Sequence, residues 1–212
     1  RLVAKIPSGS RVLDLGCGTG AQLELVASQV SGRVAGIDIS PESCRIAKER
    51  LAPFGDRAAI RCCDLMEIGL EELGQFDIIY NIGVIYVTPP EVQRRILDLI
   101  GKCLRPGGVA IMSYYAGSIP ALRANLHQTL RASCTGLEPA AAIARARKQL
   151  GVVAGSLENV AGMDLLRKAV VDTERQTDRS FFHEVLNKSF ESMRTSAIER
   201  TLSQHGVSFA NY

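Results

Sequence analysis

Three glycines at alternate positions follow a short apolar segment and one acidic residue near the start of the chain. The run reads Val12-Leu13-Asp14-Leu15-Gly16-Cys17-Gly18-Thr19-Gly20, and helix-compatible sequence follows it. Glycine suits a backbone that must turn sharply and lie closer to a ligand than a Cβ atom allows. The N–H groups at a helix N-terminus attract an electronegative ligand group. The pattern therefore predicts a strand, a ligand-binding turn and a helix.

Polar side chains also end the next three predicted strands. They are Asp38, Asp64 and Asn81. In open parallel sheets, ligands bind beyond the carboxyl ends of the strands, and Asp38 comes 22 residues after Gly16, about the spacing at which an acid accepts from ribose hydroxyls. A single acid at such a position is more often a turn former or a helix cap. Three polar strand ends in sequence, together with the glycine loop that follows the first strand, favour a binding site.

Strands and helices alternate along the first half of the chain. Strands are predicted at 11–15, 33–37, 58–63, 76–80 and 109–114, and helices at 20–30, 41–51 and 90–104. Several strands are wholly apolar, which is typical of parallel strands covered on both faces. The fold class predicted is α/β: a Rossmann-like, doubly wound, mostly parallel sheet with a helical insertion after the fifth strand.

The second half of the chain has helical composition at 121–133, 138–150 and 160–176. We therefore divide the chain into a core at 1–116, a helical cap at 117–190 and a return to the core at 191–212. The last part is expected to hold a helix at 192–204 and the start of a truncated strand at 207–212. The chain lacks an initiating Met, which indicates a fragment or a processed chain.

Composition narrows the class of protein. The chain has 212 residues and is 46% hydrophobic, which suits one globular α/β domain with an insertion. It has neither a run near the ~20 apolar residues of a membrane span nor the apolar core of a signal peptide. Six cysteines without a C-x-x-C pair predict reduced cytoplasmic thiols and no metal site. A net charge of +3 indicates a solvated face rather than a nucleic-acid surface.

The ordered motifs resemble those of class I S-adenosylmethionine (SAM) methyltransferases over roughly residues 10–115. The matching stretches are Val12–Gly20, Gly36–Ser40, Cys63–Met66, Phe76–Ile79 and Leu104–Gly108. This resemblance implies SAM as the cofactor and a methyltransferase activity. It implies that the loop residues pack against the methionine moiety: Gly16, Cys17, Gly18 and Gly20. It also implies that Asp14 orients the loop or the amino group of the cofactor.

The same resemblance implies a role for each later strand end. Asp38 holds the ribose hydroxyls, and Asp64 binds the adenine amine. Ile39 and Leu65, which follow these two acids, are assigned to the cofactor site with them. Asn81 lines the path to the reactive methyl group.

A narrower resemblance is to bacterial methyltransferases that carry a methyltransferase regulatory region. It rests on Asp64–Glu67, Gly83-Val84, Pro89–Val92 and Ser113–Ala116, and on Phe182–Asn187, which resembles the His-Glu-x-Leu signature of that region. Some of these proteins resemble protein-lysine methyltransferases that act on bacterial surface proteins. This chain has no Trp, whereas that group usually has one after Gly83-Val84 and another after Ala116. The acceptor is therefore not carried over.

Methyl transfer from a sulfonium depends on positioning, with a base where the nucleophile must lose a proton. The polar and aromatic residues considered for this role are Tyr86, Tyr114, Tyr115, His127, His183 and Glu184. We select His183 and Glu184, which lie in an acidic and aromatic stretch, and Tyr86, which follows the fourth strand. A lone histidine in such a stretch is more often structural, and an aromatic residue after the fourth strand often only walls the pocket.

Two other functions stay open. Gly16-x-Gly18-x-x-Ala21 also fits the fingerprint of an NAD(P)-dependent oxidoreductase, although Asp14, Gly20 and Asp64 disfavour it. The long helical cap also suits a SAM-binding regulatory or interaction module without catalysis. A DNA-amino methyltransferase is disfavoured, because Asn81 is followed by Ile82-Gly83 rather than by Pro-Pro-aromatic. The acceptor is left open between a small molecule and a protein side chain.

Overall fold

The computed structural model describes residues 6–116, 118–158, 160–190 and 193–210. The chain forms two compact units. The sheet unit comprises residues up to Ile85, Pro89–Tyr114 and the residues from Ser196 onward. The helical unit comprises Tyr86–Thr88 and Tyr115–Thr195. Each unit has its own buried apolar core.

The sheet unit is built on five parallel strands. They are β1 Val12–Leu15, β2 Val34–Asp38, β3 Ala58–Cys62, β4 Phe76–Asn81 and β5 Leu104–Met112. Their order across the sheet is β3-β2-β1-β4-β5, and every neighbouring pair is parallel. This arrangement confirms the predicted doubly wound α/β sheet.

The helices of the sheet unit are α1 Ala21–Ala27, α2 Pro41–Leu51, α3 Leu70–Leu73 and α4 Pro90–Cys103. Short 3-10 helices lie at Ala52–Arg57 and Ile85–Val87. The apolar residues of β1 are fully buried, as expected for a strand covered on both faces. α2 begins as predicted: the Ser40 Oγ accepts from the Ser43 N–H at 3.3 Å and Pro41 takes the first helical position.

Several boundaries differ from the sequence prediction, and the two largest differences concern β5 and the expected last strand. β5 starts at Leu104 instead of Val109, and its pairing with β4 shifts register between Phe76 and Ile78. Because β5 lies at the edge of the sheet, Pro106 can sit in it without breaking a ladder on both sides. The expected strand after Val207 is not formed at 207–210, and 211–212 lie outside the described residues.

The helical unit contains α5 Ser118–Ser133, α6 Pro139–Ser156, α7 Asp164–Glu174 and α8 Asp178–Glu184, and α9 Thr195–Ser203 follows. Its described residues form no strand, which confirms a helical insertion after the fifth strand. The core of the unit centres on fully buried Leu150, Val170 and Phe181. α8 was not predicted; it begins because the Thr177 side chain accepts from the Ser180 N–H. Among the described residues, no helix has the length and apolar character that a membrane span requires.

Candidate functional site

The carboxyl ends of β1 and β4 lie side by side at the switch point of the sheet. β1 pairs with β2 on one side and with β4 on the other, both in parallel. The strands after β1 are added first on one side and then on the other, so the strand order reverses between β1 and β4. The Asn81 Nδ2 at the end of β4 donates to the carbonyl oxygen of Leu15 at the end of β1, at 2.8 Å. This bond fixes the two loops that border the crevice in which α/β sheets bind ligands.

The glycine loop after β1 adopts backbone conformations that favour glycine. Gly16, Gly18 and Gly20 have φ values of 86°, 53° and 74°. A Cβ atom at Gly16 would overlap the Val84 side chain, whereas a Cβ at Gly18 would meet no atom within 4 Å. The loop is therefore packed behind Gly16 and open at Gly18, which is where a ligand has room to approach.

Most N–H groups of this loop are used within the sheet unit. Those of Gly16 and Cys17 donate to the carbonyl oxygen of Ile37 at 2.8 and 3.0 Å. The Gly18 N–H donates to Asp38 Oδ2 at 2.8 Å, and the Gly20 N–H to the carbonyl oxygen of Cys17 at 2.9 Å. The loop thus serves a ligand by its open shape at Gly18 more than by these donors.

Alanine substitutions at Gly18 and Gly16 test separately how the loop affects stability and how it affects the affinity for SAM. Gly18→Ala should cost about 1–2 kcal/mol of stability through its positive φ alone, yet lower the affinity for SAM because the methyl group enters the open side. Gly16→Ala should cost about 3 kcal/mol or more, since strain and the overlap with Val84 add. Denaturant unfolding and calorimetry with SAM measure both effects. Unchanged SAM affinity in Gly18→Ala would show that the ligand does not approach there.

Asp38, at the end of β2, accepts two backbone hydrogen bonds. Its Oδ2 accepts from the Gly18 N–H at 2.8 Å, and its Oδ1 accepts from the Ser40 N–H at 2.9 Å. These bonds join the carboxyl end of β2 to the glycine loop. An ionised carboxylate has about four lone-pair sites, so both oxygens keep acceptor capacity for hydroxyl donors.

Asp14 is a buried acid in the middle of the sheet. It is only 5% exposed, and burial followed by the charge of Asp38 raises its pKa to about 7. Among the described residues, no group donates a hydrogen bond to its carboxylate. A buried, unpaired carboxylate next to a second acid is an attractive partner for a cationic ligand group.

Asn81 leaves a second buried polar atom without a partner. Its Oδ1 is buried and accepts no hydrogen bond from the described residues. Such groups cost free energy and are expected at functional sites rather than in ordinary cores. The neighbouring Gly83 N–H donates to the Ser113 Oγ at 2.8 Å. Ser113 was not predicted as a site residue, although it directly follows β5 and the same strand-end rule applies to it.

The segment after β3 is held in place from two directions. The Asp64 Oδ1 accepts from the Met66 N–H at 2.9 Å. Arg95 of α4 donates to the carbonyl oxygens of Leu65 and Ile68 at 3.1 and 2.6 Å. Leu65 is buried, whereas Ile39 after β2 is 66% exposed. Ile39 thus presents an apolar surface that the fold itself leaves uncovered.

The cysteines beside these residues are not activated. Cys17 is buried, and burial raises the pKa of its thiol to about 12. Cys44 is buried as well, and its Sγ donates to the carbonyl oxygen of Asp38 at 3.3 Å. Thiols with raised pKa values are poor nucleophiles, so Cys17 acts in this loop by its size.

Tyr86 belongs to the helical unit and lies among aromatic rings. Its ring centroid is 4.5 Å from that of Tyr115 and 6.0 Å from that of Phe190. Burial, and then the charge of Glu184, raise the pKa of Tyr86 well above its ordinary range. Tyr86 therefore keeps its proton at neutral pH, so it can donate a hydrogen bond but is a poor general base.

His183 and Glu184 lie at the end of α8 in different surroundings. His183 is exposed, and its ring faces Phe182 edge-on at 6.2 Å between centroids. Glu184 is half-buried, and its carboxylate accepts from Gln176 Nε2 at 3.0 Å and from Ser180 Oγ at 3.5 Å. The structure thus brings Glu184 within electrostatic range of Tyr86, while His183 stands apart on the surface of the unit.

His127, which was also considered as a base, is fully buried near the same aromatic residues. Its ring centroid is 4.6 Å from that of Phe190. Burial, and then the charges of Arg123 and Arg131, lower its pKa to about 3. His127 is therefore neutral at physiological pH and a weak base.

Comparison with known proteins gives a family match for the first half of the chain. Residues 12–108 match the family model described as a methyltransferase domain. The chain is 29% identical over 107 residues to the ubiquinone biosynthesis O-methyltransferase of Xanthomonas axonopodis, covering 50% of this chain and 44% of that protein. It is 34% identical over 106 residues to the magnesium-protoporphyrin O-methyltransferase of Rhodobacter capsulatus, covering 48% and 45%. The chain thus spans less than half the length of these curated relatives.

Among solved structures, PKMT2 from Rickettsia typhi has a similar fold over 93% of this chain and 38% of its own length. The TM-score is 0.79 at 21% sequence identity. PKMT2 has also been solved in complex with AdoHcy, where the TM-score is 0.78 at 22% identity. The likeness extends beyond the sheet unit, since 93% of the chain includes most of the helical insertion.

The strand order, the glycine loop and the match of residues 12–108 to a methyltransferase domain support the class that the ordered motifs predicted, the class I SAM-dependent methyltransferases. SAM is the cofactor of this class.

Proposed function

We propose that this chain is a SAM-dependent methyltransferase that transfers a methyl group to a nucleophilic nitrogen or oxygen of a small molecule or a protein side chain. The observation that carries the proposal is the crevice at the switch point. There Asp14 is buried and accepts no hydrogen bond from the described residues, Asp38 keeps acceptor capacity, and Gly18 leaves open space.

The residues of the crevice fit the chemistry of SAM. Asp14 offers its unpaired carboxylate to the ammonium group of the methionine moiety. Asp38 offers acceptors to the ribose hydroxyls, and the exposed Ile39 offers an apolar surface to the adenine ring. Asp64 and Leu65 are assigned to the adenine side. Cys17 and the three loop glycines are assigned to the methionine side.

Bound SAM supplies a methyl group on a positively charged sulfur. The chain then has to position the acceptor and exclude water, because the leaving group is already activated. Asn81, fixed to β1 through Leu15, borders the path to that methyl group. Tyr86 keeps its proton and is proposed to orient the acceptor by hydrogen bonding. His183 and Glu184 are proposed to take up the proton that the acceptor loses.

His183 offers a clean test of this acid–base role. Because its side chain is exposed, His183→Ala should change the free energy of unfolding by less than about 0.5 kcal/mol. Turnover should fall by about 10²-fold or more if His183 is the base, with SAM affinity unchanged. His205→Ala, in the sheet unit, serves as a histidine control. Full turnover in His183→Ala would assign the proton transfer to another group.

Two curated relatives are named as O-methyltransferases, which supports an oxygen acceptor. We place the protein in the cytoplasm, which agrees with six free cysteines. A test of the function uses SAM with a labelled methyl group and a bacterial extract separated into small molecules and macromolecules. Formation of S-adenosylhomocysteine with label in one fraction supports catalysis and gives the acceptor class. SAM binding without turnover in either fraction would favour the regulatory module instead.

A further inference from the structure

A cavity of about 590 Å³ opens in the helical unit between α5, α6 and the segment that follows α8. This volume lies within the range of about 300–1,000 Å³ that holds small ligands. Its wall includes Cys134 and Ala142, which also belong to the buried core of the unit. The wall of the cavity is therefore partly formed by the packed core of the unit, and all of the lining residues belong to this one unit.

The charges that line the cavity have one sign. Arg131 and Lys188 are among the lining residues, and none of the lining residues is acidic. Arg131 is half-buried and donates to the carbonyl oxygen of Asn187. Within the described part of the chain, neither cation forms an ion pair, and burial lowers the pKa of Arg131. A guanidinium nevertheless stays charged in proteins, so the site carries uncompensated positive charge.

Apolar side chains lie beside these cations. Leu137 is 40% exposed and Phe182 is 39% exposed, and both line the cavity together with Leu186. Phe182 and Leu186 come from the stretch Phe182–Asn187 that the sequence analysis singled out. Exposed aromatic and aliphatic groups around a concave site indicate a ligand with an apolar part.

We propose that this cavity binds a small anionic amphiphile, in which a carboxylate or phosphate head is joined to an apolar chain. The head group lies against Arg131 and Lys188, which donate charge-assisted hydrogen bonds. The chain lies against Leu137, Phe182 and Leu186. A cavity of this volume fits a compact ligand better than an extended peptide. The site is separate from the crevice of the sheet unit and does not depend on the function proposed for that crevice.

Calorimetry with the full chain, in the absence of SAM, tests the proposal with four probes. Decanoate and decyl phosphate share the chain but differ in the head group, decanol lacks the charge, and acetate lacks the chain. We expect one molecule of decanoate or decyl phosphate per protein, and the tighter of the two identifies the head. Decanol should bind about tenfold more weakly, because it lacks the charged head group that accepts charge-assisted hydrogen bonds from Arg131 and Lys188. Acetate should give no measurable binding.

Two variants locate the binding. Lys188→Glu reverses an exposed charge at the cavity and should weaken the binding of the anionic amphiphile about tenfold or more. Phe182→Ala should weaken it too, by removing the apolar contact. Lys168→Glu makes the same charge change on α7, outside the cavity lining, and should leave the affinity unchanged. Thermal unfolding confirms that all three variants fold.

Three results would overturn the proposal. One is equal affinity for decanol and the anionic probes, since the cations would then not take part. Another is equal binding by the Lys188→Glu and Lys168→Glu variants. The third is the absence of binding by both anionic amphiphiles, decanoate and decyl phosphate. None of these results bears on SAM binding, so the two proposals fail independently.

Discussion

Replacing Asp14 by asparagine is expected to stabilise the ligand-free protein at pH 8 and to weaken its binding of SAM. Asp14 is buried, and its pKa is raised to about 7, first by burial and then by the charge of Asp38. At pH 8 the folded protein must therefore hold an ionised, unpaired carboxylate. Asparagine has nearly the same shape without that charge.

The direction of the pH dependence follows from proton binding. Between about pH 4 and pH 7, the folded protein holds a proton on Asp14 that the unfolded chain releases. Stability therefore falls as the pH rises through this window, and the loss is complete above pH 7. A shift of this size corresponds to about 3–5 kcal/mol. The stability of Asp14→Asn minus that of the wild type should be larger at pH 8 than at pH 4 by a value of this order.

Denaturant unfolding at the two pH values measures this difference, and calorimetry measures SAM binding. Asp56→Asn provides the control, because Asp56 is exposed and lies before the start of β3. It is therefore away from the carboxyl ends of the strands. It should show neither effect. Affinity for SAM in Asp14→Asn should fall about tenfold or more, as expected when a charge-assisted bond is lost. The result that would contradict this prediction is a stability difference between Asp14→Asn and the wild type that is the same at pH 8 as at pH 4. The ionised carboxylate of Asp14 would then not destabilise the folded protein.

Asp38→Ala should lower both SAM affinity and stability. The carboxylate anchors the glycine loop through the Gly18 N–H and the turn into α2 through the Ser40 N–H. Loss of its acceptors should weaken SAM binding by about 1.5–3 kcal/mol, which is about 10- to 150-fold. Stability should fall by about 1–3 kcal/mol, because two backbone donors lose their partner.

Asp56→Ala again serves as the matched control, since it removes an equal charge without touching the loop. Asp38→Asn adds a third comparison. Its amide has only one acceptor oxygen for two N–H donors, so it should be intermediate in stability. If Asp38→Ala binds SAM as tightly as Asp56→Ala does, the assignment of Asp38 to the ribose hydroxyls is wrong.

The sequence predicts those parts of the site that depend on patterns among neighbouring residues. The apolar run of β1 and the acid at the end of β2 place Gly16 and Asp38 at one edge of a parallel sheet, because all carboxyl ends meet there. The Ser40-Pro41 start of α2 is equally local. These features depend on neighbouring residues only, so the succession of strands along the chain and the positions of their polar ends follow from the sequence.

Other features depend on contacts between distant residues. The bond from the Gly18 N–H to Asp38 spans 20 positions, and no local pattern shows that Asp14 is left without a partner. The short helices α3 and α8 have too few residues for a periodic pattern, and α8 depends on the cap from Thr177. The start of β5 at Leu104 depends on its place at the sheet edge, which only the assembled sheet defines.

Thermal unfolding in the presence of SAM and of NAD tests whether the crevice at the switch point binds SAM. A ligand at 100 times its dissociation constant stabilises the folded state by about 2.7 kcal/mol. We predict that SAM raises the unfolding temperature of the protein and that NAD at the same concentration does not. An unfolding temperature that rises with NAD and not with SAM would show that the crevice binds a dinucleotide instead of SAM.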